Sequence, residues 1–204
     1  MSKRFENLKK IPAEPAAKLL AMTNTKLQTK ISAPVSAPVP VVLAELEEKG
    51  AKIDILRLLS VAIPPREATW WACLAARDLV GEEAKVVPSP LAAAEKWVFK
   101  PTPENRAAAN DAFTNAENDD DTVYCAMAAN YADGTLGPGD LSQHPAPPNG
   151  VSAAVFAMNL LAMRANVDRM QVFLDILIDR GLDIARGGNG KAEAGNGAKL
   201  EVKG

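Results

Sequence analysis

His144 is the single histidine of this 204-residue chain and stands in the loop segment Gln143-His144-Pro145. A lone histidine acts as a general base when a second group orients it, and none neighbours it in sequence. Arg66, Glu67 and Arg77 flank the pair Trp70–Trp71. Arg66 and Glu67 are consecutive, so on a helix they do not face each other, and an ion pair that orients the helix is the simpler reading. Cys73 and Cys125 lie in apolar surroundings, lack Cys-x-x-Cys spacing, and read as reduced, buried thiols. Glu117, Asp119, Asp120 and Asp121 lack the alternating ligands, central glycine and closing glutamate of a calcium loop, so they read as a solvated helix cap. Ser60, Ser89 and Ser152 have no Gly-x-Ser-x-Gly context. The glycine-rich run Asp133 to Gly139 ends without the Lys-Ser/Thr pair of a phosphate loop. These residues assemble no recognisable reaction, and no catalytic set, cofactor or metal is expected.

The elements that would position such residues read as helices. Hydrophobic residues make up 48% of the chain and aromatics only 5%, with alanine abundant. Alanine favours helix and lets helices approach closely. Pro64-Pro65 with Glu67 opens a helix through Trp70 and Trp71, and Gly81 closes it. Adjacent indoles point about 100° apart, and a helix apolar nearly all round belongs in a core. Trp70, Trp71, Trp97, Phe156 and Phe173 are therefore the expected structural core.

Ser89-Pro90 and Thr102-Pro103-Glu104 repeat the start signal for helices over 91–100 and 104–115. Further helices are expected over 13–22, 41–49, 53–62, 122–131, 151–165 and 166–179. Gly50 ends the second of these and Gly181 the last. Residues 133–150 form a long Gly/Pro-rich loop. No period-two alternation marks a strand.

The expected fold is all-α: a compact bundle of about seven or eight short helices over residues 41–186. Residues 1–40 read as a basic arm on an Ala/Pro-rich linker, and 187–204 as a disordered Gly-rich tail. Seven Lys/Arg against two Glu in residues 1–30 face eight Asp/Glu against one Arg in residues 101–150. Phe5, Leu8 and Ile11 recur every third residue and could anchor such an arm on a partner. Removing residues 1–40 is then expected to weaken partner binding and leave the melting temperature nearly unchanged.

A net charge of −2 does not favour nucleic acid. No uncharged run is long enough to span a membrane, and no apolar signal segment follows Met1, so a cytoplasmic location is expected.

Several motifs carry a family resemblance. Pro-Pro-Arg-Glu-Ala-Thr-Trp-Trp-Ala-Cys-Leu-Ala-Ala-Arg over 64–77, Thr-Pro-Glu-Asn-Arg-Ala-Ala-Ala over 102–109, Ala-Val-Phe-Ala-Met over 154–158 and Gly-Leu-Asp-Ile-Ala over 181–185 are involved. Over roughly residues 55–185 the chain resembles a family of uncharacterised bacterial helical proteins associated with type VI secretion gene neighbourhoods. The resemblance implies an all-helical fold and a secretion context, and carries over no catalytic residue.

The functional expectation is a non-enzymatic cytoplasmic adaptor or accessory protein that binds another protein, in a type VI secretion or related contractile assembly. An effector chaperone or immunity protein is one alternative. An enzyme using Arg66, Glu67 and His144 is another. A closed polar pocket holding Arg66 or Glu67 would favour the enzyme, and an exposed apolar groove the adaptor.

Overall fold

The computed structural model describes residues 3–81 and 84–191. Among them lie nine α-helices and no strand: α1 Ala16–Met22, α2 Val39–Glu48, α3 Lys52–Ala62, α4 Pro65–Val80, α5 Ser89–Phe99, α6 Pro103–Thr114, α7 Val123–Tyr131, α8 Gly150–Ala165 and α9 Met170–Arg186. The all-α expectation holds, with eight of the nine helices after residue 38. Most start and stop signals act at the expected positions. Pro65 sits in the first turn of α4, and Gly81 ends it with a left-handed φ of 84° that costs glycine little. Thr102 caps α6 by accepting a hydrogen bond from the Asn105 N–H.

α4 is the central helix, packed against α5, α7, α8 and α9, most extensively against α8. Half of its buried positions are alanine, with Thr69, Trp71, Cys73 and Leu74 the others. Small side chains let the neighbours close in around one large one. Trp71 is fully buried and donates its indole N–H to the Leu177 carbonyl of α9 at 3.0 Å. Cys73 and Cys125 are both buried. Burial pushes the Cys73 thiol well above its ordinary range, with Cys125 beside it adding to the effect.

Gly181 does not end the last helix, which continues to Arg186 and stops at Gly187 with φ 101°. A Cβ at position 181 would stand 2.9 Å from Trp71 Cζ2, so this glycine serves the close approach of the indole. Trp70 and Trp71 also part company. Trp70 lies half-buried at the rim, edge-on to Phe99 with ring centroids 5.4 Å apart, and Phe99 is 71% exposed. Trp97 and Phe173 are buried, whereas Phe156 is half-buried. Only three of the five expected core aromatics are therefore interior.

The N-terminal arm is a correction. Residues 3–40 pack on the body, and Phe5 is 2% exposed. Leu8 is buried, and Ile11 is partly buried against the same core. The backbone explains the docking: Lys10 N–H donates to the Ala185 carbonyl at 2.8 Å, and Arg186 donates to the Arg4 and Glu6 carbonyls. Arg4 pairs with Glu47 and Asp179, and Lys10 with Glu67. Arg4 and Lys10 thus neutralise acids of the body, while Lys26 and Lys30 stay exposed. Phe5, Leu8 and Ile11 are occupied by the fold and offer no free anchor.

The Ala/Pro linker is pinned as well. An irregular segment must find partners for its backbone N–H groups. Glu45 of α2 accepts from Ser32 and Ala33, and Asp54 of α3 accepts from Gln28 and Thr29. Lys49 and these two N–H donors hold the Glu45 carboxyl from its ordinary 4.5 down to about 2. Residues 187–191 fold back too: Asn189 accepts from the Trp70 indole, and Gly190 donates to Asp183. The remainder of the expected tail, 192–204, lies outside the described residues.

Candidate functional site

A cleft of about 330 Å³ opens beside the start of α8. Three segments far apart in sequence build it. Residues 24–28 form one rim, α3 supplies Arg57 and Val61, and the first turns of α8 supply Asn149, Ser152, Ala153 and Phe156. Each wall has an identifiable support. Asn24 adopts a left-handed φ of 48°, a conformation asparagine tolerates better than most residues, and this turns the chain after α1 toward Lys26. Asp54, itself buried, holds the Gln28 and Thr29 N–H groups at 3.1 and 2.7 Å, which ties the rim to α3.

Arg57 is the charged centre. Its guanidinium carbon lies 4.3 Å from the centroid of the Phe156 ring, a cation–π contact that fixes the group. Its buried Nε lies 3.4 Å from Asp54 Oδ1, yet finds no hydrogen-bond acceptor. The side chain is 24% exposed and makes no hydrogen bond to any described residue. A guanidinium held in this way presents a planar fork of donors. Lys26 adds a second cation on an exposed rim, and the first turn of α8 adds backbone N–H groups without intrahelical acceptors.

A second cleft of about 330 Å³ adjoins the first and shares Val61 and Ser152 with it. Its walls combine Ile63, Pro65, Tyr131, Pro147, Pro148 and Val151 with the hydroxyl residues Thr23, Ser60 and Ser152. The long loop after α7 forms one side. Buried Arg106 holds this loop by donating to the Asn130 carbonyl and to Thr135, and by pairing with Asp133 at 2.6 Å. Asn130 anchors the Leu136 carbonyl, while Leu136 and Ala146 N–H groups bond across the loop to His144 and Gly134. The loop is thus a held wall with a defined shape.

The residues singled out for chemistry from the sequence are not gathered here. Arg66 donates to the Val98 carbonyl at 2.7 Å and so satisfies the end of α5. Glu67 pairs with Lys10, Arg77 with Glu95, and His144 is exposed on the loop. Asp120 accepts from the Thr122 N–H and hydroxyl in a turn ahead of α7, whose N-cap Thr122 makes no side-chain capping bond, so the acidic run does not cap the helix as expected. Among the described residues, no group of three or more His, Cys, Asp or Glu is placed to hold a metal ion, and no single helix is long and apolar enough to cross a membrane. Sequence reading passed over Arg57, Lys26 and Asn149. The available signal was Asp54 and Arg57, the two charges at i, i+3 spacing in the run Ile53 to Ala62.

A family model described as "Family of unknown function (DUF6931)" matches residues 42–185. The chain belongs to this family. The matched region runs from α2 to the end of α9, and so contains Arg57, Asn149, Ser152 and Phe156 but not Lys26 or Asn24. No curated protein and no solved structure matches the chain.

Proposed function

We propose that this DUF6931 protein is a non-enzymatic adaptor that holds a segment of another protein in the clefts beside α8. The observation that carries the reading is the adjacency of a cationic cleft and a more apolar one, which share Val61 and Ser152 in their linings. Apolar walls supply burial, and a few fixed donors supply orientation, which is how recognition sites are usually built. The walls are supported by buried Asp54 and Arg106, so little ordering would be lost on binding. The setting we assign is the one the motif resemblance implies, a type VI secretion or related contractile assembly.

Site-specific photocross-linking in the native cell tests this. A photoactivatable residue at Gln28 or Pro148 on the cleft rims is expected to form a defined adduct. The same residue at exposed Leu141 or Val86 is expected to form none. Ala153→Trp, at an exposed position lining the cleft, should fill it and abolish the adduct. Equal adducts from all four positions, or adducts indifferent to Ala153→Trp, would refute the reading.

A further inference from the structure

We propose that the partner segment is a free C-terminus, with its terminal carboxylate on Arg57 and Lys26 and its preceding apolar side chains in the adjoining cleft. This rests on the adaptor reading above and specifies the chemistry that the site selects.

Charge sets the first limit. Two cations line the site, Arg57 and Lys26, and one carboxylate, Asp54, lies 3.4 Å from Arg57. The balance is a single positive charge, matched to one carboxylate and not to a phosphate dianion. Asp54 is also occupied by the Gln28 and Thr29 N–H groups, so it positions the site without closing it.

Donor geometry sets the second. The Arg57 fork, fixed over Phe156, matches the two oxygens of a carboxylate. Asn24, Asn149 and the first turn of α8 add neutral donors around it, and the positive end of that helix favours an anion.

The path of the chain sets the third. An acidic residue inside a segment brings a polypeptide that must both enter and leave the cationic cleft. A terminus ends there and leaves once, past Val61 and Ser152 into the adjoining cleft lined by Ile63, Pro147, Pro148 and Val151. The side chains just before the carboxylate then meet apolar walls, which provide burial.

Retention of peptide pools on the immobilised full-length protein decides the matter. The pools are short peptides with apolar final positions, made as free acids or as C-terminal amides. A further pool carries an internal aspartate and an amidated end. The free-acid pool is expected to be retained about tenfold or more over the amide pool, the effect of one charge-assisted pair. Retention should weaken as salt rises. Arg57→Gln and Lys26→Glu should each bring the free acids toward the amide level, with Arg57→Lys keeping part of the difference. Lys26 is exposed on its rim, so its substitution separates recognition from folding.

Equal retention of free acids and amides would overturn the proposal. So would a difference that survives both substitutions, or retention of the internal-aspartate pool equal to the free acids. If these peptides fail to discriminate while the cross-links from Gln28 and Pro148 persist, the terminus falls and the adaptor reading stands. If the cross-links fail as well, both fall.

Discussion

Gly181→Ala is the substitution whose outcome local and tertiary reasoning predict with opposite signs. Position 181 is interior to α9, where replacing glycine by alanine stabilises an unconstrained helix by about 0.5–1 kcal/mol. The new Cβ, however, would stand 2.9, 3.0 and 3.2 Å from Trp71 Cζ2, Cε2 and Cη2. Carbon atoms settle at about 3.5–4.0 Å, so the ring or the helix must yield by roughly half an ångström. Trp71 is fully buried and has no free direction in which to move. Overpacking of this kind costs about 1–3 kcal/mol. A displaced indole also weakens its hydrogen bond to the Leu177 carbonyl, itself a contribution of about 0.5–1.5 kcal/mol. The balance is a destabilisation of about 1–3 kcal/mol. At about 2–4 °C per kcal/mol for a domain of this size, the melting temperature falls by about 2–12 °C. Thermal and urea unfolding followed by far-ultraviolet circular dichroism measure it. The companion variant Trp71→Phe removes the ring atoms in contact, so the penalty should largely disappear in that background, a coupling of about 0.5–3 kcal/mol. A Gly181→Ala protein more stable than wild type, or a strictly additive double variant, would refute the packing argument.

Two further outcomes follow from the docked N-terminal segment. Phe5→Ala should cost about 3–5 kcal/mol, the loss for a buried phenylalanine, and lower the melting temperature by about 6–20 °C; a change of a degree or two would restore the independent arm. Glu45 has a folded-state pKa of about 2 against an ordinary 4.5, so its contribution is complete above about pH 4.5 and disappears as pH falls toward 2. Acid titration of the wild type should therefore lose stability more steeply in that window than Glu45→Gln does, and parallel curves would show that the Ser32 and Ala33 contacts do not anchor the segment.

Much of the architecture was legible because it is written in local chemistry. Pro65 and Gly81 bound α4 for reasons of backbone geometry that hold in any context, as does the Thr102 cap of α6. The apolar, alanine-rich run around Trp71 was readable as interior for the same reason. The candidate site was barely legible. Arg57 looked like one charge in an apolar helix, and its meaning depends on Phe156, 99 residues later, and on the rim at Lys26.

By itself, then, the sequence determined an all-α chain, the places where most helices begin and end, and Trp71 at the centre. Tertiary structure alone decided which of two adjacent tryptophans faces the core, whether Gly181 stops a helix or admits an indole, and whether a basic N-terminus projects or docks. The physical reason is one of range. Caps, prolines and left-handed glycines act on the backbone within a turn or so of themselves. The burial of Trp71 against Gly181, the pairing of Arg4 with Glu47 and Asp179, and the meeting of Lys26, Arg57 and Phe156 are contacts between distant segments, which exist only once the helices have packed.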